Sequence, residues 1–558
     1  MPALELSASD LLSASDLADV RRSRPLTVFE AQGRATLDLL RGQTVRKLAA
    51  DVLPSYLIER RWYAAKDSGV PRVGIANSIS LVADHDAVIL ILDVTPERQP
   101  PRKYLLPVSI LWDAEAPASA ILAEVRYGSS RGVLVDAFAD DRFIRRLLAR
   151  IGADDGTGQG EIPGLIFRRS ALLDGLEREL AATSDIERRA GEQSNTSIRI
   201  GGTMLKGFRR LEPGVHPELE IGRFLTEVAG FRNAPALLGS VELVGRGGEV
   251  PTALCVLQAL IPNQGDGWAY VIERLKSIPN EHSAGGRTEQ QLCSLAYCLG
   301  QRTAELHHAF AFGTDDIAFA PEPFQPDHLS DWAQAIRSSV ASIFEALNQA
   351  RPRLDGASQQ AADRLLGRRE DLLMQIAELM PAKVDAKRTR VHGDYHLGQV
   401  LIASDDVFII DFEGEPMRPL TERRNKHLPL RDVSGMLRSF QYAAASVTRA
   451  VRADEKSVAR LQACAGRMST NFLEAYAQAI RGCPSFPADL AQATGLLRLF
   501  VIEKALYEIG YELANRPDWT DIPLAGVLAI VDGADAFGFS ANSADTPNPH
   551  HGRDADRG

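Results

Sequence analysis

The stretch VHGDYHLGQVLIASDDVFIIDFEGEP, from Val391 to Pro416, combines six carboxylates and two histidines with two apolar runs. Phosphoryl transfer from ATP requires a carboxylate that takes the proton of the attacking hydroxyl, followed by an amide oxygen and a second carboxylate that bind Mg²⁺. Asp394, Gln399 and Asp411 supply these groups in that chain order. The spacing therefore favours a phosphoryl-transfer site, with Asp394 as catalytic base and with Gln399 and Asp411 as metal ligands.

Other interpretations of these residues remain open at this point. Taken singly, Asp394 could cap a turn and Asp411 could simply end a strand. A zinc site would use His392 and His396, but they flank a loop, have no third ligand at a suitable spacing and lie outside any HExxH helix. We assign His392 to the catalytic site beside Asp394, as a residue that holds the catalytic loop.

The apolar runs of this stretch predict the elements that position its polar groups. VFIIDF is typical of a short buried strand with Asp411 near its end, and QVLIA is typical of a partner strand. The intervening Ser404 to Asp406 predicts a turn. We therefore expect a hairpin that has Asp394, Gln399 and Asp411 near one of its ends.

A phosphoryl-transfer site also needs a cation for the ATP phosphates and an acid that holds this cation in place. SIRIGG and TMLKGF predict a hairpin around Gly201 and Gly202, with Lys206 on its second strand. HPELEIGRFL begins a helix that carries Glu218 and Glu220. We pair Lys206 with Glu220, and the alternative is a solvated strand lysine.

A loop that covers the phosphates is expected just before this hairpin. GEQSNTS, from Gly191 to Ser197, is small and polar but lacks the repeated glycines of such loops. The segment from Gln258 to Leu260 is the expected hinge between two lobes. The chain has no GxxxxGK[ST] sequence, which excludes the P-loop phosphotransferases. The predicted nucleotide contacts are Ser194, Asn195, Thr196, Gln258 and Leu260.

The composition of the chain restricts its partners and its location. Its 558 residues carry a formal net charge of −10 with dispersed Lys and Arg, so nucleic acid is not an expected partner. No apolar run approaches the roughly 18 residues that cross a bilayer, so no membrane association is expected. The first residues lack a secretory signal, and five cysteines without a CxxC pair favour reduced thiols. Both features predict a cytoplasmic protein.

Several motifs resemble the maltokinase family, part of the eukaryotic-like kinase group that includes aminoglycoside phosphotransferases. HGDYHLGQVL and IIDFEGEP are similar to its catalytic and metal motifs, and Gln399 in place of the usual Asn favours the maltokinase branch. LPSYLIERRWYAAKD, from Leu53 to Asp67, resembles its N-terminal cap motif. LGQRTAELH, RPLTERRNKHLPLRDVSGMLRSFQYAA and IEKALYEIGYELANRPDWTDIPLAGV extend the resemblance over about Leu37 to Ile530.

The resemblance implies an α+β, bilobal protein-kinase-like (aminoglycoside phosphotransferase-like) fold with an additional N-terminal cap subdomain. It implies Mg²⁺-dependent transfer of the ATP γ-phosphate to the anomeric hydroxyl of maltose, with the product used in α-glucan (glycogen) synthesis. Association with a trehalose synthase is also implied, because many relatives are fused to that enzyme. The chain itself has no room for a catalytic (β/α)₈ barrel of about 250 residues beside the kinase.

The expected domain division follows from composition and from the resemblance together. It comprises a flexible leader (1–32), a cap subdomain (33–160), an intermediate ATP-binding subdomain (161–262), a mostly helical C-terminal lobe with the catalytic and sugar sites (263–540) and a disordered tail (541–558).

One helical segment, EKALYEIGYELAN, carries groups that suit a sugar. Its polar and aromatic side chains recur at spacings of three and four, which places them on one helix face, although a partly buried stripe would give the same pattern. His396 and Glu413 are also assigned to the acceptor. Asp432 is expected to brace the catalytic loop or to cap its own helix. The predicted sugar contacts on the helix are Lys504, Tyr507, Glu508, Tyr511 and Asn515.

Three functional hypotheses follow from the sequence. The first is an ATP-dependent maltokinase. The second is the same chemistry on another acceptor, such as glucosamine or a small polyol, because a few pocket contacts determine the acceptor. The third is a non-catalytic kinase-like partner of trehalose synthase, which the intact set Lys206, Asp394, Gln399 and Asp411 argues against.

Overall fold

The structure, a computed structural model, describes residues 26–81, 87–153, 162, 164–176, 180, 183–188, 194–244, 250–281 and 285–533. The predicted tail and most of the predicted leader lie outside these residues. The chain forms two compact units. The first comprises Met1–Arg223 and Pro235–Leu260, and the second comprises Phe224–Ala234 and Ile261–Gly558.

The first unit contains two sheets. The strands of its first sheet are β1 (Val28–Glu30), β2 (Arg72–Ser80), β3 (Ala87–Thr95), β4 (Arg102–Trp112), β5 (Ile121–Tyr127), β6 (Ser130–Asp136) and β11 (Arg210–Leu211). Their order is β1-β5-β6-β4-β3-β2, with β11 paired to β4. The β1–β5 pair is parallel, and the other described pairs of this sheet are antiparallel.

The apolar run of β3 reflects burial of both faces of the first sheet. Val88, Leu90 and Leu92 belong to one core cluster with the helices that precede β2. Ile89 and Ile91 point the other way and belong to a second cluster, which they share with strands of the second sheet. Successive side chains of a strand alternate between faces, so a strand covered on both sides is apolar throughout.

The second sheet of the first unit is antiparallel. Its strands are β7 (Leu165–Arg169), β8 (Ile186–Arg188), β9 (Asn195–Ile200), β10 (Thr203–Phe208), β12 (Leu237–Leu243) and β13 (Thr252–Ala259), in the order β7-β12-β13-β10-β9-β8. Ile200 pairs with Thr203 across Gly201 and Gly202, and Gly201 has a φ of 49°. This left-handed conformation favours glycine, and the pairing confirms the predicted Gly-Gly hairpin.

Helices flank both sheets of the first unit. They are α1 (Thr36–Leu39), α2 (Gly42–Lys47), a π-helical turn (Leu48–Val52), α3 (Leu53–Ile58), α4 (Asp141–Gly152) and α5 (Pro217–Arg223). Asp140 caps α4 by accepting a hydrogen bond from Arg142 N, which satisfies one of the backbone donors at that helix start. The part of the chain from 36 to 58 is therefore helical in several short pieces.

The second unit is mostly helical, as the sequence predicted. Its helices are α6 (Gly267–Leu275), α7 (Arg287–Phe310), α8 (Pro326–Ala350), α9 (Gly356–Gly367), α10 (Arg369–Leu379), α11 (Leu420–Arg423), α12 (Leu430–Ala450), α13 (Glu455–Ala479), α14 (Leu490–Asn515) and α15 (Asp521–Val531). Two short hairpins accompany them: β14 (Glu322–Pro323) with β15 (Lys387–Arg388), and β16 (Val400–Ala403) with β17 (Asp406–Ile409). Helix α7 packs along α13, and α12 packs against both α13 and α14.

The β16–β17 hairpin confirms the predicted fold of the IASDDVFII stretch. Ala403 pairs with Asp406 across a tight turn, in which Ser404 has a φ of 57°. Arg302 of α7 forms an ion pair with Asp406 at 2.8 Å. The hairpin is thereby attached to α7.

Residues 224–234 belong to the second unit, whereas the expected division placed them in the ATP-binding subdomain. Phe224 stacks on Phe319, with ring centroids 3.8 Å apart. The side-chain amide of Asn233 donates to Asp406 at 3.1 Å, and Ile409 N donates to Asn233 O at 2.8 Å. These contacts attach the segment to the β16–β17 hairpin and explain the difference.

Within the described residues, no helix combines the length and the hydropathy that crossing a bilayer requires.

Candidate active site

Asp432, in the first turn of α12, holds the loop that carries Asp394 by accepting hydrogen bonds from the loop backbone. Asp432 accepts hydrogen bonds from His392 N at 2.7 Å and from Gly393 N at 2.9 Å. His307 Nε2 lies 3.3 Å from the same carboxylate. Burial alone would raise the pKa of Asp432, but these hydrogen bonds and the neighbouring histidines keep it below its usual value. The ionised carboxylate therefore fixes the start of the loop.

His392 connects this loop to the segment before Asp411. Its Nε2 lies 2.9 Å from Ile410 O and its Nδ1 lies 3.4 Å from Asp394 N. Since a carbonyl only accepts and an N–H only donates, Nε2 carries the proton and Nδ1 accepts. His392 is 1% exposed. Both ring nitrogens are engaged by backbone, so His392 is a positioning residue that holds the loop, which is the role given to it from the sequence.

Asp394 lies among charged groups of the second unit. Its side chain is 17% exposed, and Lys504 Nζ of α14 lies 3.8 Å from its Oδ1. His396 Nε2 lies 3.8 Å from its Oδ2. Burial opposes ionisation of Asp394, yet His396, when it is protonated at acidic pH, and Lys504 bring the pKa of Asp394 below the usual value. An ionised carboxylate at this position can receive a proton.

His396 is an uncharged neighbour of Asp394 near neutral pH. Its Nδ1 accepts a hydrogen bond from Gly398 N at 3.0 Å, which leaves the proton on the Nε2 that faces Asp394. Burial lowers the pKa of His396 to about 4. The permanent cation beside Asp394 is therefore Lys504, and His396, predicted to contact the acceptor, lies against the catalytic carboxylate.

The predicted metal ligands lie together at the end of the β16–β17 hairpin. Ile410 N donates to Gln399 O at 3.0 Å, which places the Gln399 backbone beside the residue before Asp411. Carboxylate oxygens of Asp411 and Glu413 lie within 4.8 Å of one another. Amide and carboxylate oxygens are the ligands that Mg²⁺ prefers, so this donor set fits that ion. Glu413 was predicted to contact the sugar, but it lies with the metal ligands.

The backbone at Asp411 has an unusual conformation. Its φ is 66°, a left-handed value that costs energy for a residue other than glycine. Such conformations persist where the surrounding structure enforces them, and they concentrate at functional sites. The hydrogen bonds from His392 to Ile410 O and from Ile410 N to Gln399 O supply that enforcement.

A cleft of the second unit opens beside Asp394. Three carboxylate–cation pairs surround it: Asp394 with Lys504 at 3.8 Å, Glu415 with Arg418 at 2.8 Å, and Glu503 with Arg431 at 3.7 Å. Its lining residues are Gly393, Asp394, Tyr395, Glu415, Arg418, Arg431, Asp432, Ser434, Gly435, Phe500, Glu503, Lys504 and Tyr507. Sequence reasoning missed Glu415, Arg418, Arg431 and Glu503, although Glu415 stands inside the DFEGEP motif.

Helix α14 contributes two of the five predicted sugar contacts directly to this cleft. Lys504 and Tyr507 line it. The Tyr511 ring lies one turn further along, stacked with Tyr507 at 6.4 Å. Asn515 is exposed, and its amide donates to Tyr511 O at 2.9 Å. The two tyrosine rings thus lie on the same face of α14 as Lys504.

Glu508 does not point into this cleft, contrary to the prediction. Its Oε2 accepts hydrogen bonds from Nε and Nη2 of Arg438 at 2.9 and 2.6 Å, and Arg438 is 1% exposed. Removing one partner of a buried ion pair costs about 3–5 kcal/mol, because the other charge is left uncompensated. Glu508 therefore serves the packing of α12 against α14.

In the first unit, Lys206 forms an ion pair with Glu218, which lies two residues before the predicted Glu220. Lys206 Nζ on β10 lies 2.7 Å from Glu218 Oε2, and Glu218 is 2% exposed. Gln258 Nε2 also lies 3.4 Å from Glu218. A buried acid that holds a strand lysine is the arrangement that a kinase uses to present the lysine to phosphates. Glu218 therefore holds Lys206 in this arrangement.

The residues predicted to cover the phosphates belong partly to a strand. Asn195 and Thr196 begin β9, and Thr196 Oγ1 accepts a hydrogen bond from Arg209 at 2.7 Å. Ser194 precedes the strand, and residues 191–193 of the predicted loop lie outside the described residues. Leu260, the other end of the expected hinge, donates its N–H to Gly202 O at 2.9 Å. Thr196 is therefore engaged inside the first unit.

Two family models match the chain. The maltokinase N-terminal cap domain matches residues 56–140, and the phosphotransferase enzyme family (APH) matches residues 185–414. The first match covers most of the first sheet, and the second extends from β8 through the Asp394 loop to Asp411.

Curated relatives are similar to this chain in sequence, and solved structures are similar to it in fold. Glucosamine kinases of Streptacidiphilus jiangxiensis and Mycolicibacterium smegmatis are 24% and 26% identical over 335 and 347 residues, covering 60% and 61% of this chain and 70% and 78% of theirs. A glucosamine kinase solved with glucosamine, ADP and inorganic phosphate has a TM-score of 0.59 at 21% identity, over 88% of this chain and 99% of that one. A second crystal form has a TM-score of 0.60 at 19% identity, over 87% and 99%.

The two family matches together support a maltokinase-family kinase, in agreement with the resemblance seen in the sequence. The fold is an α+β kinase-like fold with an additional N-terminal cap domain. The phosphotransferase match supports an ATP-dependent sugar kinase.

Proposed function

We propose that the protein is an ATP-dependent maltokinase, which transfers the γ-phosphate of ATP to the anomeric hydroxyl of maltose and releases maltose 1-phosphate and ADP. The observation that carries this proposal is the set of three carboxylate–cation pairs around the cleft beside Asp394. Because each carboxylate is already matched by a cation, the cleft suits an uncharged acceptor rich in hydroxyl groups.

The tyrosines of α14 support a disaccharide over a monosaccharide. The rings of Tyr507 and Tyr511 are stacked at 6.4 Å with an interplanar angle of 30°. The apolar C–H face of a sugar ring can rest on such aromatic rings. Tyr507 lines the Asp394 cleft and Tyr511 extends it, so a second glucosyl unit would have its own aromatic contact.

The proton transfer assigned to Asp394 follows from its surroundings. The anomeric oxygen attacks the γ-phosphorus, its proton moves to the Asp394 carboxylate, and the bond between the γ-phosphorus and the β–γ bridging oxygen breaks to release ADP. Asp432 and His392 hold the loop so that this carboxylate faces the cleft. Lys504 keeps it ionised.

The nucleotide and metal roles are also proposals. Gln399 and Asp411 would hold Mg²⁺, with Glu413 as a third ligand, and Lys206 would contact the ATP phosphates under the control of Glu218. Mg²⁺ in such sites neutralises the charge that develops on the transferred phosphoryl group. The donor set of two carboxylates and an amide is the support for this ion.

An acceptor screen tests the proposal. Purified protein with ATP and Mg²⁺ is offered maltose, glucose, glucosamine and trehalose separately, and ADP release is measured. We expect the highest kcat/KM with maltose. Background ADP release with all four sugars would instead favour a non-catalytic kinase-like partner.

Glucosamine is the second candidate acceptor, because the curated relatives and the solved neighbours are named glucosamine kinases. An ammonium group would need a carboxylate without a cation partner, whereas the three pairs of this cleft are matched. A higher kcat/KM for glucosamine than for maltose would replace the first candidate with the second.

Two cellular roles belong to the maltokinase proposal. Maltose 1-phosphate would serve glycogen synthesis as a maltosyl donor, and a trehalose synthase would supply the maltose in association with this protein. The support is the resemblance to kinases fused behind trehalose synthase. Co-purification of the two proteins at a fixed stoichiometry would support the association, and separate elution would contradict it.

Lys504→Met is expected to shift the acidic limb of the kcat/KM profile to higher pH. The lysine stabilises ionised Asp394, so its removal makes protonation easier and raises the pKa of that carboxyl. Activity is then lost earlier as pH falls. Lys504→Arg should restore the wild-type limb, and the exposed Lys456→Met should leave it unchanged. An acidic limb that does not move in Lys504→Met would show that Lys504 does not control Asp394.

Lys206→Met is expected to lower kcat/KM for ATP by about tenfold or more, without changing the order of preference among acceptors. The lost contact serves the phosphates and not the sugar. Lys103→Met is a matched control, since Lys103 is a strand lysine in an exposed ion pair with Asp93 at 2.7 Å. A change confined to the KM for maltose would count against the assignment of Lys206.

A further inference from the structure

Glu415 combines burial, charge and an oxygen without a protein partner. The residue is 6% exposed, and its Oε2 accepts a hydrogen bond from Arg418 Nε at 2.8 Å. Among the described residues, no donor is placed to hydrogen-bond its Oε1. Glu415 also lines the cleft that contains Asp394 and Lys504. One carboxylate oxygen is thus anchored, and the other is a buried acceptor without a hydrogen bond in a residue that lines the cleft.

The turn before Glu415 explains this orientation. Gly414 has a φ of 70°, a conformation that favours glycine, and it reverses the chain after Glu413. Glu415 therefore returns to the cleft, while Asp411 and Glu413 lie together at the metal-ligand end of the motif. The DFEGEP motif thus places Asp411 and Glu413 together and Glu415 at the cleft.

The energetics favour a ligand for Oε1. A buried acceptor without a hydrogen bond costs about 1–3 kcal/mol, and more when it belongs to a charged group. Arg418 compensates the charge of Glu415 through Oε2 but leaves Oε1 unsatisfied. Tyr507 forms a hydrogen bond with the Glu415 side chain, and burial, this hydrogen bond and the charges of Glu415 and Asp394 raise the pKa of its phenol. Tyr507 therefore stays protonated beside both carboxylates.

We infer that Glu415 positions the acceptor sugar: its Oε1 accepts a hydrogen bond from a hydroxyl of the ring that Asp394 activates. This inference rests on the proposed function and adds a specificity-determining residue to it. A second hydrogen bond to the same ring fixes the rotation of that ring in the cleft and so directs the reacting hydroxyl to Asp394. Glu415 selects the acceptor without taking part in the proton transfer.

The test combines variants with altered acceptors. Wild type and Glu415→Gln are assayed with maltose and with the 2-deoxy, 3-deoxy and 6-deoxy analogues of its reducing ring. Glu422→Gln is the matched control, because Glu422 also neighbours Arg418, at 4.0 Å, but is exposed. Unfolding temperatures and Mg·ATP binding are measured for all proteins. If Glu415→Gln does not fold, Glu415→Asp is used, since it keeps the charge but withdraws the oxygen.

We expect Glu415→Gln to lower kcat/KM for maltose by about 10- to 100-fold, with Mg·ATP binding unchanged. With the wild type, one deoxy analogue should show a similar fall in kcat/KM relative to maltose. With Glu415→Gln, the same analogue should cause little further fall, because both changes remove the same hydrogen bond. Additive losses for every analogue, or an unchanged kcat/KM in the variant, would overturn the inference while leaving the maltokinase proposal intact. A wild type that does not phosphorylate maltose would overturn both.

Discussion

Asp394→Asn should lower kcat by roughly 10²-fold or more, because an amide cannot take the proton of the attacking hydroxyl. The amide has the same shape as the carboxylate, and the loop is held by Asp432 through backbone hydrogen bonds that the substitution does not touch. Binding of Mg·ATP and the unfolding temperature should therefore remain close to those of the wild type. The measurement is steady-state turnover with saturating ATP and maltose.

Asp405→Asn is the control for this experiment, since Asp405 is an exposed carboxylate in the β16–β17 turn of the same unit. It should keep wild-type turnover. Near-normal turnover in Asp394→Asn would remove Asp394 from the proton transfer, and a fall in its unfolding temperature would indicate a structural role.

Asp411→Ala should remove Mg²⁺-dependent ATP binding and lower kcat/KM by roughly 10²-fold or more. The carboxylate lies with that of Glu413, within 4.8 Å, beside the Gln399 backbone. Its removal leaves the proposed ion with one carboxylate and one amide. Calorimetric titration of ATP with and without Mg²⁺ measures the effect directly.

Asp405→Ala is the matched control for Asp411→Ala, because it removes an exposed carboxylate from the same hairpin region. Glu413→Ala should give a smaller loss of Mg²⁺-dependent binding if Glu413 is an additional ligand. An Asp411→Ala protein that binds ATP with unchanged Mg²⁺ dependence would contradict the metal assignment.

Local signals predicted the main elements of the fold. The Gly201–Gly202 turn has the residues that a two-residue hairpin requires, and the structure has that hairpin. The apolar run of β3 is buried on both faces of its sheet, as its two core clusters show. The 224–234 segment was misplaced because its attachment depends on stacking of Phe224 with Phe319, a contact between residues distant in sequence.

The candidate site was predictable where spacing along the chain determines it. The intervals between Asp394, Gln399 and Asp411 indicated the loop and the hairpin that hold them. The burial of Glu218 beside Lys206 was not predictable, because Glu218 and Glu220 are both near the start of α5 and only packing decides which one is buried. The sequence pattern of α14 likewise could not show that Glu508 forms a buried ion pair with Arg438.

Glu415 illustrates a different limit of sequence reasoning. It stands in a motif whose first two acids lie at the metal-ligand end, so the pattern gave no reason to separate it from them. The positive φ of Gly414 and the ion pair with Arg418 direct it to the acceptor cleft. These two features belong to the folded chain and cannot be read from the sequence pattern.

Identification of the product formed from maltose tests the central claim most directly. The protein is incubated with ATP, Mg²⁺ and maltose, and the product is examined by mass spectrometry and by phosphorus NMR. The maltokinase proposal predicts one added phosphate, with the phosphorus coupled to the anomeric proton of the reducing ring. Unmodified maltose, or a phosphate on any other hydroxyl, would contradict it.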